Sequence, residues 1–245
     1  MAANRFFKIL DSVDSTNNYA MALVREGMAT HGMAIIAKEQ TAGKGQRGKN
    51  WQTEPGQNIA ISLILNTDHC RTDQQFFVSM LVALGACDFL KSFAPGEITI
   101  KWPNDLYWRD RKAGGILIET VFKGNNWNWA IVGIGININQ TNFDPDLPNP
   151  VSLQQITHTA YDAVEMAKLL YDAVMKRVVM LQNKPANEIL AEYNQHLYKL
   201  NEKVKLKKGN AVFETTIKGV TLQGHLQTMD TIERQFDFGE VGWII

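Results

Sequence analysis

Lys44, Arg47 and Lys49 alternate with Gly43, Gly45 and Gly48 in the run Gln40-Thr41-Ala42-Gly43-Lys44-Gly45-Gln46-Arg47-Gly48-Lys49-Asn50-Trp51. Glycine permits positive φ and close backbone approach, and the cations surround exposed amide N–H groups with positive charge; the combination suits a phosphate. Taken alone, the run reads equally as a solvated surface loop, because short Gly/basic motifs often match by chance. Four other segments carry chemistry. Ser15-Thr16-Asn17 offers hydroxyl and amide groups able to bind a small heteroatom-rich ring, or simply to cap a helix. Lys101-Trp102-Pro103-Asn104-Asp105 gathers charged, aromatic and amide groups at a strand end, where Pro103 argues against an uninterrupted central strand. Lys112-Ala113-Gly114-Gly115-Ile116-Leu117-Ile118-Glu119 sets a lysine and two glycines at the head of an apolar strand, letting something flat approach the backbone or merely aiding packing. Gly133-Ile134-Gly135-Ile136-Asn137-Ile138-Asn139 repeats the device, without the glycine spacing and following helix of a dinucleotide fold.

The elements that must hold these segments follow from apolar spacing. Phe6 to Leu10 reads as a strand, followed at Asp14–Asn18 by side-chain oxygens suited to capping a helix that runs to about Gly27. Strands over Met33–Lys38 and Asn58–Leu65 bracket the glycine loop, so that loop joins two strands of one sheet. A helix from Asp73 to Phe93, stopped before Pro95-Gly96, covers one sheet face. Ile98–Lys101, Leu106–Trp108, Ala113–Phe122 and Trp127–Asn139 form the heart of a mixed sheet. Asn142–Pro150 is an irregular connector, and helices over Tyr161–Leu181 and Ala186–Leu197 supply the sheet's second cover. Short alternating strands after Asn201, at Val204–Leu206, Val212–Val220, His225–Gln227 and Gly242–Ile244, predict a small appended β-barrel.

With 245 residues, the chain is long enough for one or two domains and a substantial core. Lys+Arg and Asp+Glu both total 25, so no overall basic field favours nucleic acid. Cys70 and Cys87 have neither metal-ligand spacing nor a disulfide framework and read as reduced thiols of a cytoplasmic protein. The N-terminus lacks an apolar signal core, and no apolar run is expected to approach the length that spans a bilayer.

Together and in this order, the Ser-Thr-Asn turn, the Gln-x-x-Gly-Lys-Gly loop, Lys-Trp-Pro-Asn-Asp, Lys-x-x-Gly-Ile-Leu-x-Glu and Gly-x-Gly-x-Asn resemble the biotin protein ligase family, from Phe7 to the C-terminus. The resemblance implies an α+β fold: a mixed β-sheet flanked by helices, like that of class II aminoacyl-tRNA synthetases, over residues 1–198, then an SH3-like β-barrel over 199–245. It implies a monofunctional form, since only a short stretch precedes Ser15 and a winged-helix DNA-binding domain has no room there.

The implied reaction joins biotin to the α-phosphate of ATP with Mg2+, giving biotinyl-5′-AMP and pyrophosphate, and then transfers biotin to a lysine of a biotin carboxyl carrier protein. Lys112 and Lys44 are the implied catalytic cations. Ser15, Thr16, Asn17, Gln40, Lys44, Gly45, Gln46, Lys112 and Gly115 would surround biotin. Gly43, Arg47, Gly48, Trp51, Asn104, Asp105 and Asn137 would hold ATP or the adenylate, with Trp51 as apolar cover, Asn137 against adenine, and Asp105 holding Mg2+ or orienting phosphates. The family often carries an arginine where this chain has Gln46, which puts retention of the adenylate in doubt. No nucleic acid or membrane is implied, and the chain would be a monomer or homodimer.

Competing readings are a lipoate or octanoate ligase of the same superfamily, a non-catalytic biotin sensor, and a nucleic-acid-binding module using Arg47, Lys49 and the Lys203, Lys205, Lys207, Lys208 cluster. The glycine loop together with Lys-Trp-Pro-Asn-Asp favours biotin over lipoate, Lys112 favours catalysis over sensing, and the zero net charge disfavours nucleic acid.

Overall fold

Alternate residues of three adjacent strands enter two different cores, and this alternation fixes the architecture. A computed structural model describes residues 7–94, 96 and 98–244; Phe6 and Pro95, invoked above as strand start and helix stop, lie outside them. The strands in question are β2 (Met33–Gln40), β3 (Asn58–Asn66) and β7 (Asn126–Asn137), with β1 (Phe7–Val13), β4 (Ile98–Lys101), β5 (Asp105–Trp108) and β6 (Arg111–Lys123) completing a seven-stranded sheet in the order β1-β2-β3-β7-β6-β5-β4. Only the β1–β2 pair is parallel, so the sheet is mixed.

Ala34, Ile36, Ile61, Leu63, Val132 and Ile134 face one core, while Ile35, Ile64 and Ile131 face the other. Helix α1 (Thr16–Arg25) covers the second face with Ala20 and Leu23. The first face is covered by α2 (Gln75–Phe93), by α4 (Ala163–Val178), which follows a short α3 (Leu153–Thr157), and by α5 (Ala186–Gln195). The C-terminal helices therefore do not supply a second cover, as their position in the chain suggests; they pack beside α2. Arg177 of α4 fixes that arrangement, donating to Asp88 of α2 from Nε (2.6 Å) and to Glu192 of α5 from Nη1 (3.0 Å).

Counted with its opening turn, the α2 segment Thr72–Phe93 has 22 residues and is, by length and composition, apolar enough to cross a membrane. The expectation that no run approaches this length does not hold. The helix is apolar nearly all round because sheet, α4 and α5 bury it from several sides, which leaves little reason for a polar stripe.

A second, antiparallel sheet follows: β8 (Lys203–Lys208), β9 (Ala211–Val220), β10 (Leu226–Met229), β11 (Glu233–Phe236) and β12 (Gly242–Ile244), ordered β11-β10-β9-β8-β12. Strand β11 escaped prediction because its first three residues, Glu233, Arg234 and Gln235, are all exposed and show no alternation. Leu206, Ile217, Val220, Leu226 and Phe236 join the same buried cluster as the main sheet, so the core runs across the expected division at 198/199. Trp102 ties the two sheets. Its indole is 1% exposed, its Nε1 donates to the Gly224 carbonyl (2.8 Å), and its own carbonyl accepts from Trp243 Nε1 (3.2 Å).

Candidate active site

The strand–turn–helix from β1 to α1 buries Ser15, Thr16 and Asn17 to 2%, 4% and 3% exposure. Ser15 occupies the N-cap position without making a side-chain cap bond. These polar groups instead form a network with the sheet. Gln40 Oε1 accepts from the Thr16 backbone N–H (2.8 Å) and hydroxyl (3.0 Å). Asn17 Nδ2 donates to Glu119 Oε2 (2.8 Å), and Ser62 Oγ lies 2.6 Å from Asn17 Oδ1 and 2.7 Å from Thr16 Oγ1. Three of these contacts share the two hydroxyl protons of Thr16 and Ser62, so the cluster has spare acceptor lone pairs to offer a ligand N–H. A Cβ on Gly133 would stand 2.4 Å from Asn17 Oδ1, so this glycine makes room for the asparagine rather than for a ligand.

Register sets Gly133 opposite Leu117, and Gly135 opposite both Gly115 and Ala60, giving a floor of small residues beyond the α1-covered part of the same face. Trp51 lies on it. A Cβ on Gly135 would be 2.4 Å from Trp51 Cε2, and one on Gly115 would meet Trp51 Cζ3 at 3.6 Å, Asp105 Oδ1 at 3.5 Å and Lys112 Cε at 3.7 Å. Gly115, expected to let a ligand lie on the backbone, is thus overlaid by the indole. Trp51 Nε1 is buried without a hydrogen-bond partner, a donor that an acceptor on a ligand would satisfy.

Lys112 reaches the floor from the start of β6. Its Nζ pairs with Asp105 Oδ1 (2.6 Å) and stands 5.8 Å from the centre of the Trp51 ring. The irregular connector holds its backbone, since Lys112 N–H donates to Asn149 O (2.7 Å) and Lys112 O accepts from Val151 N–H (2.8 Å). Lys101 lies nearby, 9% exposed, between Tyr107 and Trp243, with its Nζ 4.9 and 5.4 Å from the two ring centres. Burial pulls its ammonium down to about 8; repulsion from Lys112 and Lys49 acts in the same direction and attraction to Asp105 against it.

The glycine loop forms a small hairpin. Gly45 N–H donates to Lys49 O (2.7 Å) and Trp51 N–H to Gly43 O (2.8 Å), while Lys44, Arg47, Gly48 and Lys49 stay exposed. The Asp14 carboxyl is held below its ordinary range by a hydrogen bond from Asn18, by the Ser15 backbone and, in smaller part, by the charge of Lys44. Gln46 heads the single turn Gln46–Gly48.

Two residues expected to contact a ligand also bond the protein itself. Asn104 Nδ2 donates to Ile116 O (2.7 Å), and Asn137 Nδ2 to Val151 O (3.2 Å), so both amides brace the strands and connector around Lys112. Among the described residues, no group of three or more His, Cys, Asp or Glu side chains forms a metal cage.

The pattern that describes the Biotin/lipoate A/B protein ligase family matches residues 9–137, more than half of the chain. The chain belongs to that family. It is 30% identical to the biotin--[acetyl-CoA-carboxylase] ligase of Paracoccus denitrificans over 89% of this chain and 92% of that protein. The bifunctional ligase/repressor BirA of Salmonella typhimurium is 28% identical over 89% of this chain and 68% of its own length. In fold, the chain is similar to the biotin protein ligase from Aquifex aeolicus in complex with biotin and ATP, with a TM-score of 0.80 and 24% identity over 97% of this chain and 98% of that one.

Three residues that the structure brings to this place were given no role from the sequence: Ser62, Glu119 and Lys101. Ser62 had a visible signal, as the one hydroxyl inside the apolar run of β3. Glu119 ends a quoted motif yet received no role, because its partner Asn17 is 102 residues away. Lys101 looks like an ordinary lysine at a turn until Trp243 closes over it.

Proposed function

We propose that this chain is a biotin protein ligase that activates biotin with ATP and transfers it to a lysine of a carboxylase's biotin carboxyl carrier domain. The observation that carries this reading is the joining, on one sheet face, of a buried hydrogen-bonding cluster to a lysine-bearing small-residue floor about which the basic loop folds. The cluster of Thr16, Asn17, Gln40 and Ser62, with Ser15 beside it, suits the ureido ring, whose carbonyl seeks donors and whose N–H groups seek acceptors. A fatty acid would leave buried groups unpaired at about 1–3 kcal/mol each.

In the first step a biotin carboxylate oxygen bonds to the α-phosphorus and the bond to the bridging oxygen of pyrophosphate breaks. Negative charges must be brought together, so cations and amide donors do most of the work. Lys112 takes the central position, with Lys44, Arg47 and the amides of Gly43 and Gly48 alongside, and Trp51 shields the adenylate side. Asp105 is the residue that would help hold a divalent cation such as Mg2+, which would neutralise phosphate charge. In the second step the acceptor amine attacks the acyl carbon, AMP leaves with the bond pair, and the amine's proton passes to solvent. Gln46 can donate a hydrogen bond but carries no charge, so the adenylate is held less firmly than it would be by a cation there.

The reading extends to the C-terminal sheet as an SH3-like barrel, to two units divided near residue 198, to a cytoplasmic location, and to a monomer or homodimer. Incubation with biotin, ATP, Mg2+ and a carrier domain, followed by mass measurement, tests the function. A gain of one biotin on the carrier is expected; ATP–pyrophosphate exchange driven by lipoate and not by biotin would replace this reading with that of a lipoate ligase.

A further inference from the structure

The turn between β11 and β12 touches two motif segments that the sequence keeps far apart. Arg47, at the tip of the glycine loop, has φ 57° and donates from Nη1 to the Gly239 carbonyl (2.9 Å), across 192 residues of chain. The next residue back, Phe238, lies with its ring centre 5.5 Å from that of Trp102 in Lys-Trp-Pro-Asn-Asp, although half its surface remains exposed. Arg47 and Trp102 are thereby referenced to the same short piece of backbone.

That backbone is braced from several sides. Glu240 N–H donates to Asp237 O (3.0 Å), and Asp237 N–H to Glu240 Oε2 (3.0 Å). His225 Nε2 stands 2.9 Å from Asp237 Oδ1, and Lys208 pairs with Glu240. Gly239 has φ 77°, and a Cβ there would lie 2.4 Å from both Cζ and Nη1 of Arg47. The close approach of guanidinium to backbone therefore requires glycine at this position. Gly209, in the β8–β9 turn of the same sheet, also has a positive φ of 58° but would give its Cβ nothing to touch within 4 Å.

We propose that the Asp237–Glu240 turn is the clasp of the glycine loop, and that Gly239 is a positioning residue for the adenylation reaction, acting through Arg47. The second sheet thus sets where the loop's positive charge stands relative to Lys112 and Asp105. The kinetic consequence rests on the biotin ligase reading; the structural consequence does not.

The experiment compares Gly239→Ala, Gly209→Ala and Arg47→Ala in the full chain. Amide hydrogen exchange across residues 43–51 should quicken about tenfold in Gly239→Ala and Arg47→Ala and stay near wild type in Gly209→Ala, which carries comparable backbone strain without the collision. Exchange over residues 203–229 should be unchanged in Arg47→Ala, separating loss of the clasp from damage to the sheet. In biotin-dependent pyrophosphate exchange, Gly239→Ala should raise the KM for ATP about tenfold while kcat moves less than about threefold, and it should add little in an Arg47→Ala background. Equal loop exchange in Gly239→Ala and Gly209→Ala would overturn the clasp. A wild-type protein that forms no adenylate would overturn the ligase reading and leave the exchange comparison to decide the clasp separately.

Discussion

Asn17 and Lys44 face the same site from surroundings of opposite kind. Asn17 is 3% exposed and its amide meets Ser62 and Glu119 from strands β3 and β6, which hold those partners in register. Lys44 is exposed on a hairpin closed by a few backbone bonds and fastened at its tip through Arg47 to Gly239. The first region resembles a core that happens to be polar; the second is a cationic strap over the surface. Under the proposed function, discrimination between ring systems would belong to the buried cluster, where an unmatched ligand leaves groups unpaired. Management of charge would belong to the strap, where water screens each cation and no single one dominates.

Lys112 stands between the regions and gives the largest expected effect. Lys112→Ala should lower biotin-dependent pyrophosphate exchange about 100- to 1,000-fold with little change in thermal midpoint, and more than Gln46→Ala does. If Gln46→Ala proves as inactive as Lys112→Ala, the strap is not the diffuse device described here. Glycine substitutions sharpen the contrast. Gly133→Ala pushes a methyl into Asn17 Oδ1 and should raise the KM for biotin about 100-fold, equivalent to roughly 3 kcal/mol. Gly48→Ala, with open space around the added Cβ but φ at 75°, should cost only about 1 kcal/mol of stability, read by denaturant melts.

Stability separates the regions further. Asn17→Ala leaves Ser62 and Glu119 short of a partner and should cost about 1–3 kcal/mol in urea unfolding, while Lys49→Ala on the strap should stay within about 0.5 kcal/mol. A further contrast concerns pH. Folding holds the Lys101 ammonium down at about 8, so between that value and the usual lysine range the unfolded chain binds the proton that the folded chain has lost. Stability from this group therefore rises with pH across that window, by at most about 1.4 kcal/mol per pH unit. The difference between wild type and Lys101→Met, measured by urea unfolding at about pH 8 and pH 9.5, should show that slope; parallel curves would place the ammonium in water.

Most strands were legible because β-branched residues alternate within them, and the motif segments were legible because glycine and proline mark where strands stop. The side of the sheet on which each helix settles was not. Helices α2, α4 and α5 share a face because crossovers between distant elements put them there, and their own periodicity shows only that each has an apolar side. The same holds in the site. Thr16, Asn17 and Gln40 could be named from type and spacing, whereas Ser62 became a member only when β3 folded beneath α1. Gly133 and Gly135 were legible as places of close approach, but what approaches them is Asn17 and Trp51, and that depends on register. Asn104 and Asn137 were legible as polar groups beside glycines, whereas their Nδ2 bonds to Ile116 and Val151 were not, because register and the connector bring those carbonyls to them.

The connector before Val151 has a bearing on how this chain tolerates changes in length. Asn149 and Val151 bind the amide and the carbonyl of Lys112, respectively, from either side of Pro150, and Arg111 Nη2 adds a bond to the Pro150 carbonyl (2.6 Å). An insertion between Asn149 and Val151 would have to break one of these bonds or drag the lysine along β6. A peptide inserted a few residues earlier, in the exposed turn at Asp144–Leu147, would leave them in place. The least regular stretch of the chain thus contains both a permissive point for adding sequence and, a few residues on, one where residue count is fixed by the lysine it carries.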